Sequence, residues 1–205
     1  MKRVLVAYAT FAGSTAEVAE AVGEQIAGDG VQVDVLPIGE VKDLTGYDAL
    51  VVGAPMILGW HRAALRFLRR HRVALRRIPL AVFVTAMSLT QTGETNIDDI
   101  PITLDEHLPK APHTPGRLTF RERHAGLANY CRPILKASRP ARPVSIGVFA
   151  GRLEYGRLKR WAVLFVMVVI QAAAGDRRDW EAIRGWARGL ANALSLQSAG
   201  PTAAL

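Results

Sequence analysis

The sequence predicts an α/β fold, a doubly wound parallel sheet, on three observations. Short apolar runs of strand length recur along the chain. Helical patterns with one apolar face separate them. Two of the runs, 48–54 and 79–86, are apolar without alternation, as strands covered by helices on both faces would be. The 205 residues suit one domain, and a balance of 50% hydrophobic to 21% charged residues is globular rather than disordered.

The first strand is Lys2 to Tyr8, KRVLVAY. A turn follows, and then a helical pattern with Ala16, Val18, Ala19, Val22 and Ile26 on one face and Glu17, Glu20 and Glu24 on the other; Gly28 and Gly30 stop it. Val31 to Leu36 alternates and is a second strand. Asp48 to Ala54, DALVVGA, is the third, ended by Pro55. His61 to Arg72 is a helix with Ala64, Leu65 and Leu68 inward, and Pro79 to Ala86, PLAVFVTA, is the fourth strand. Right-handed crossovers between such strands make the sheet parallel.

The rhythm then fails. Ser88 to Phe120 is polar, rich in Pro, Thr and acids, and without a clear period, so it is an insertion or lid after the fourth strand. A short helix is expected over Glu122 to Lys136, interrupted by Pro133. Val144 to Ala150, VSIGVFA, is the fifth strand. Asp179 to Leu194 is a last helix, with Asp179 as N-cap and Trp180, Ile183, Trp186, Ala187 and Leu190 on its apolar side. The tail after Ser195 is expected to fray.

The strongest local signal is the turn Thr10, Phe11, Ala12, Gly13, Ser14, Thr15 between the first strand and its helix. A phosphate needs convergent donors and no steric obstruction. Gly13 permits close backbone approach, the helix start offers free N–H groups and the positive end of its dipole, and three hydroxyls add donors. No Lys or Arg lies in the turn, so neutral dipoles would hold the anion. The chain has neither G-x-x-x-x-G-K-[ST] nor G-x-G-x-x-G, which disfavours nucleoside triphosphate and dinucleotide binding. An ordinary capped turn is the alternative.

In a doubly wound sheet, ligands sit beyond the carboxyl ends of the strands. The third strand ends in Pro55, Met56, Ile57, Leu58, Gly59 and Trp60, and the fourth in Thr85, Ala86, Met87, Ser88 and Leu89. Both loops are apolar where polar residues are the default. A flavin ring, flat and apolar with a polar edge, fits such loops. Trp60 is either a stacking ring or a core residue. Met56 and Met87 are either contacts or gap-fillers.

These residues carry a resemblance. Tyr8-Ala9-Thr10 with Gly13-Ser14-Thr15-Ala16-Glu17, and Tyr47 to Pro55, resemble the flavodoxin superfamily. Val148 to Tyr155 and Gly175 to Ile183 look like its menaquinone-dependent protoporphyrinogen oxidase type. The likeness covers roughly residues 2–89 and 144–194. It implies a five-stranded sheet in the order 2-1-3-4-5. It also implies FMN held by the first loop through phosphate and by the 55–60 and 85–89 loops through its ring. The chain departs from the pattern in three places. Ala12 stands where a Thr is common, the 85–89 loop lacks a stacking Tyr, and the insertion is long and acidic.

The resemblance further implies an FMN-dependent oxidoreductase with flavin-borne chemistry, a porphyrinogen donor and a quinone acceptor. The alternative is a flavodoxin-type electron carrier or a non-catalytic FMN-binding module. Carriers are small and acidic, whereas this chain carries a net charge of +8. That excess fits either an anionic partner or a solvated surface; no aromatic-basic module points to nucleic acid. The scattered histidines predict no metal site, and the lone Cys131 fits a reducing, cytoplasmic setting, as a buried thiol or a nucleophile. Trp161 to Ile170 is apolar without a break, Gln171 to Ala174 extends it, and arginines within 152–178 flank it. As a helix it would reach roughly 22 Å, short of a bilayer core of about 30 Å. It is open to three uses: peripheral contact at the inner face of the cell membrane, a core helix, or a homodimer interface.

Overall fold

The computed structural model describes residues 1–28, 30–56, 59–90, 96–114, 117–153, 175–194 and 196. Ile57, Leu58 and the apolar run 161–174 lie outside the described residues, as do Glu154 and Tyr155 of the matching motifs and parts of the insertion.

In chain order the elements are β1 (Lys2–Tyr8), α1 (Ser14–Ile26), β2 (Val31–Pro37), β3 (Ala49–Pro55), α2 (Arg62–Arg70), a 3-10 turn at Ala74–Arg76, and β4 (Leu80–Ala86). The insertion contributes β5 (Leu89–Thr90), β6 (Asn96–Ile97), β7 (Ile100–Leu104) and β8 (Pro109–Lys110). After it come α3 (Phe120–His124), α4 (Leu127–Ser138), β9 (Ser145–Ala150), β10 (Arg152–Leu153), β11 (Gly175–Asp176) and the last helix, here α5 (Trp180–Ala193).

The sheet runs β2-β1-β3-β4-β9-β7-β6. Its first five strands are all parallel and take the order expected, with Val4 beside Ala49, Leu50 beside Leu80 and Ala81 beside Ser145. The continuous apolar runs are buried along their whole length in β4 and β9, and up to Pro55 in β3. The insertion extends the sheet. Ile102 lies beside Ile146 in parallel register, and a hairpin through Asp98 and Asp99, both with positive φ, returns to β6. Asp105, fully buried after β7, accepts the backbone N–H of Ala150 at 3.0 Å and that of His107 at 2.9 Å, which fastens the insertion to the end of β9. An open edge on β9 would expose unpaired backbone groups; β7 satisfies them.

Pro133 does not interrupt the helix of this region. The break comes earlier, at Ala125 and Gly126, where the extended backbone of Gly126 starts α4. Pro133 removes one hydrogen bond, but Tyr130, Cys131, Ile134 and Ala137 bury the face around it, and packing outweighs that loss. Upstream, Thr119 and Glu122 cap α3 reciprocally. The Glu122 carboxylate accepts the Thr119 N–H at 2.7 Å and that of His113 at 2.6 Å, which holds its pKa down at about 2.

Two cores flank the sheet. On one side α1 and α5 cover Val4, Val6, Val51, Phe83 and Phe149; on the other α2 and α4 cover Leu5, Leu50, Val82, Val84 and Val148. Trp186 of α5 packs edge-on against Phe83 and Phe149, at centroid distances of 6.1 and 5.5 Å, and its indole donates to the Ser145 hydroxyl. The Phe83 ring lies flat over Gly53, where an added Cβ would stand 1.8 Å from it. No described helix is long and apolar enough to cross a membrane.

Candidate functional site at the carboxyl edge of the sheet

The carboxyl ends of β1, β3 and β4 are neighbours, so the three loops beyond them share one rim, at the point where strand order reverses between β1 and β3. Parallel pairing brings them together. The Ala9 N–H donates to the Gly53 carbonyl at 2.9 Å and the Met56 N–H to that of Thr85 at 2.8 Å.

Gly13 precedes α1 with φ 91°, a left-handed conformation in which a side chain would be strained. The Thr10 hydroxyl accepts the Gly13 N–H at 2.9 Å and closes the turn. The Gly13 carbonyl takes the N–H groups of Ala16 and Glu17. Among the described residues, the backbone N–H groups of Phe11, Ala12, Ser14 and Thr15 have no protein partner. Four free donors around a glycine, at the positive end of a 13-residue helix, form a cradle suited to a phosphate.

Thr15 is buried, and its hydroxyl meets that of Thr85 at 3.0 Å, so it ties the first loop to the third instead of facing outward. Phe11 is 56% exposed, and its ring lies 4.5 Å from that of His61, bridging the first and second loops. Ala12 and Ser14 are half-buried.

In the second loop Met56 is buried, Pro55 half-buried and Gly59 exposed with φ 123°. Trp60 is 2% exposed and its indole donates to the Ala54 carbonyl at 3.1 Å, so burial of the ring in the α2 core has claimed it. In the third loop Ala86 and Leu89 are buried, Met87 half-buried and Ser88 exposed. The Tyr130 hydroxyl donates to the Ser88 carbonyl at 2.6 Å and steadies the loop from α4; burial pushes that phenol up to about 12.

Two groups at this rim escape a reading of the chain alone. His61 caps α2, its Nδ1 accepting the Ala63 N–H at 3.2 Å, and burial, with Arg66 nearby, lowers its pKa. The second is an ion network on the first turn of α1. The Glu17 carboxylate takes Arg152 and Arg178, each at 2.6 Å, and Arg178 also binds Asp176 at 2.5 Å. Arg178 has only 3% of its side chain exposed and lies 4.5 Å over the Trp180 ring. The Arg178 hydrogen bond, more than its charge, lowers the Glu17 pKa. Charges balance within the cluster, so the carboxylate of Glu17 does not oppose an anion at the helix start. The signal was present as two arginines in separate motifs; only folding joins them to Glu17.

Asp105, His107 and Asp179 also gather beyond β9, with the His107 Nδ1 at 3.5 Å from each carboxylate. Asp179 is the N-cap of α5, accepting the N–H groups of Glu181 and Ala182, so both carboxylates are already engaged by backbone donors.

A model of the flavodoxin domain family matches residues 5–179. The chain belongs to the flavodoxin domain family. Membership implies flavin binding. The chain is 25% identical over 206 residues to the protoporphyrinogen IX dehydrogenase [quinone] of Escherichia coli (strain K12), covering 93% of this chain and 95% of that protein. Among solved structures, a two-electron reduced flavodoxin of Megasphaera elsdenii superposes with a TM-score of 0.50 at 9% identity, over 92% of this chain and 98% of that one. A rubredoxin oxygen:oxidoreductase from Desulfovibrio gigas gives 0.50 at 13% identity. There the match covers 98% of this chain but only 38% of that protein, so this flavodoxin domain spans just over a third of its length. Both structures share the fold.

Proposed function

We propose that the chain is an FMN-dependent oxidoreductase that takes reducing equivalents from a porphyrinogen-type donor and passes them to a quinone. The observation that carries the FMN reading is the turn at 11–15, with four unpaired N–H groups around the left-handed Gly13. Those groups and the Ser14 hydroxyl hold the phosphate. Pro55, Met56 and Gly59 on one side and Ala86 to Ser88 on the other border the ring, with Ile57 and Leu58 assigned to the same contacts. FMN, when bound, supplies hydride and electron transfer. The protein binds, orients and shields: Phe11 and His61 wall the rim, and Thr15 and Thr85 keep two loops in fixed relation. Arg62, exposed at the rim end of α2, is a cation for a carboxylate-bearing donor. The donor and acceptor rest on the similarity to the E. coli enzyme. A quinone acceptor would bring the chain to a membrane surface.

Titration of apo-protein with FMN, followed by flavin fluorescence and visible absorbance, tests the cofactor. Saturable quenching is expected, lost in Gly13→Val while circular dichroism stays native. A folded wild-type chain that leaves FMN fluorescence unchanged overturns the reading. Turnover of protoporphyrinogen with a quinone tests the rest. FMN binding without turnover removes the donor and leaves a carrier.

A further inference from the structure

The helices of the α2 and α4 face present one sign of charge. Between Asp48 and Glu94 the chain has no acidic residue but seven arginines, and between Glu122 and Glu154 it again has no acid but six cations. On α2 the exposed positions are Arg62, Arg66, Arg69 and Arg70; on α4, Arg132 and Lys136 are exposed. The two helices pack side by side over one core, so these groups share a surface. Among the described residues none of these six is ion-paired. At the amino end of the strands the surface runs into an open cavity of about 980 Å³, bordered by Arg72, Arg76, Arg139 and Arg142 and by the exposed Asp98 and Asp99, so cations outnumber acids there four to two. Val73 stands at its lip, 68% exposed between Arg72 and Arg76.

Such a surface is costly in isolation, because unpaired like charges repel. We infer that the α2 and α4 face docks on the headgroups of an anionic phospholipid bilayer. Charge complementarity requires a polyanion, and two further features favour lipid. Val73 is an exposed apolar side chain between Arg72 and Arg76, suited to enter the headgroup layer while the helix arginines meet phosphates. No exposed aromatic ring lies among the described residues of this face, where a nucleic acid would need bases to stack. The orientation is consistent with function. The proposed flavin rim lies at the start of α2 and Val73 beyond its end, so a chain lying along this face keeps the rim at one end of the contact and Val73 at the other. The inference does not depend on the quinone reading.

Co-sedimentation with vesicles of phosphatidylcholine plus phosphatidylglycerol, against phosphatidylcholine alone, tests it on the full chain. Binding only to the anionic vesicles, weakening as salt rises, is expected. Replacing Arg66, Arg69 and Arg70 by Gln should weaken it roughly a hundredfold, at about 1 kcal/mol per cation near an anionic surface. Arg184→Gln with Arg188→Gln, on the opposite face, should leave binding unchanged. Circular dichroism checks folding. Should the triple variant not fold, Arg72, Arg76 and Arg77 exchanged for Gln in the exposed turn read the same surface. No binding to anionic vesicles at low salt overturns the proposal. So does equal binding by the folded variants, or a duplex DNA that binds this face while vesicles do not.

Discussion

The two helical faces of this sheet solve different problems. On the α1 and α5 face, charge is mixed and paired: Glu17 engages Arg152 and Arg178, and Arg178 also engages Asp176. Beneath it, Trp186 locks Phe83 and Phe149. On the α2 and α4 face, the exposed helix charge is all cationic, and the core beneath buries Trp60, Phe67 and Tyr130 among aliphatic side chains. The comparison teaches where electrostatics is used internally and where it is left open. The helix that starts at the phosphate cradle needs its acidic residue neutralised, or it would repel the ligand. On the opposite face Arg66, Arg69, Arg70, Arg132 and Lys136 lie away from the rim, and their charge is open to something outside the molecule.

The largest effect should come from breaking the aromatic lock. Trp186→Ala is expected to destabilise by about 3–5 kcal/mol, seen as a lower urea midpoint, and to exceed Leu68→Ala in the core beneath α2. Equal losses would show that the two cores do not differ in kind. Next comes the ion network. Arg178→Met should cost about 1–3 kcal/mol and weaken FMN severalfold, because Glu17 and Asp176 lose their shared donor. Arg178→Lys should restore only part, since one ammonium cannot reproduce the forked contacts.

Acid should then separate the faces. His61 and His71, both flanking α2, have pKa values lowered chiefly by burial, and the His71 Nε2 is buried without a hydrogen-bond partner. The unfolded chain therefore binds protons that the folded chain does not. Stability is full above the unfolded histidine value, about 6.5, and falls as pH drops below it. His71→Phe should flatten that limb of a thermal melting profile. Glu17 and Asp176 act lower down. Their carboxyls are held below the usual range by hydrogen bonds from Arg178, so their contribution is present above about 4 and lost as pH falls from there. Arg178→Met should flatten this second limb and spare the first.

The smallest effect sharpens the charge asymmetry. Arg66→Glu sets a carboxylate four residues from both Arg62 and Arg70. It should raise stability by about 0.3–0.5 kcal/mol per pair and shift the thermal midpoint upward at low salt. No gain would mean that the cations of α2 do not repel one another appreciably.

Much of this was legible in the chain. Four of the five core strands follow from apolar runs of strand length and β2 from alternation, and α5 follows its N-cap Asp179 as capping chemistry predicts. β7 was missed because Pro101 and Thr103 give Ile100, Ile102 and Leu104 only a brief alternation, and its pairing, Ile102 with Ile146, is 44 residues along the chain. The α3 and α4 break was misplaced because Pro133 is a louder local signal than Gly126. The rim was legible as three loops, but the roles within them were not. In one dimension Trp60 is open between a stacking ring and a core residue and Thr15 is a candidate phosphate donor; burial turns both inward. His61 carried no motif of its own.

By itself, then, the order of residues determined what is local: which segments extend, which coil, where helices begin, and that a glycine interrupts the first crossover with hydroxyls around it. Those outcomes follow from backbone sterics and side-chain periodicity within a few residues. Tertiary structure decided whatever depends on distant neighbours: that Glu17 meets Arg178 across 161 positions, that the insertion completes the sheet edge, and that two acid-free stretches become one surface. Charge and burial act through space, and only the folded chain states who is near whom.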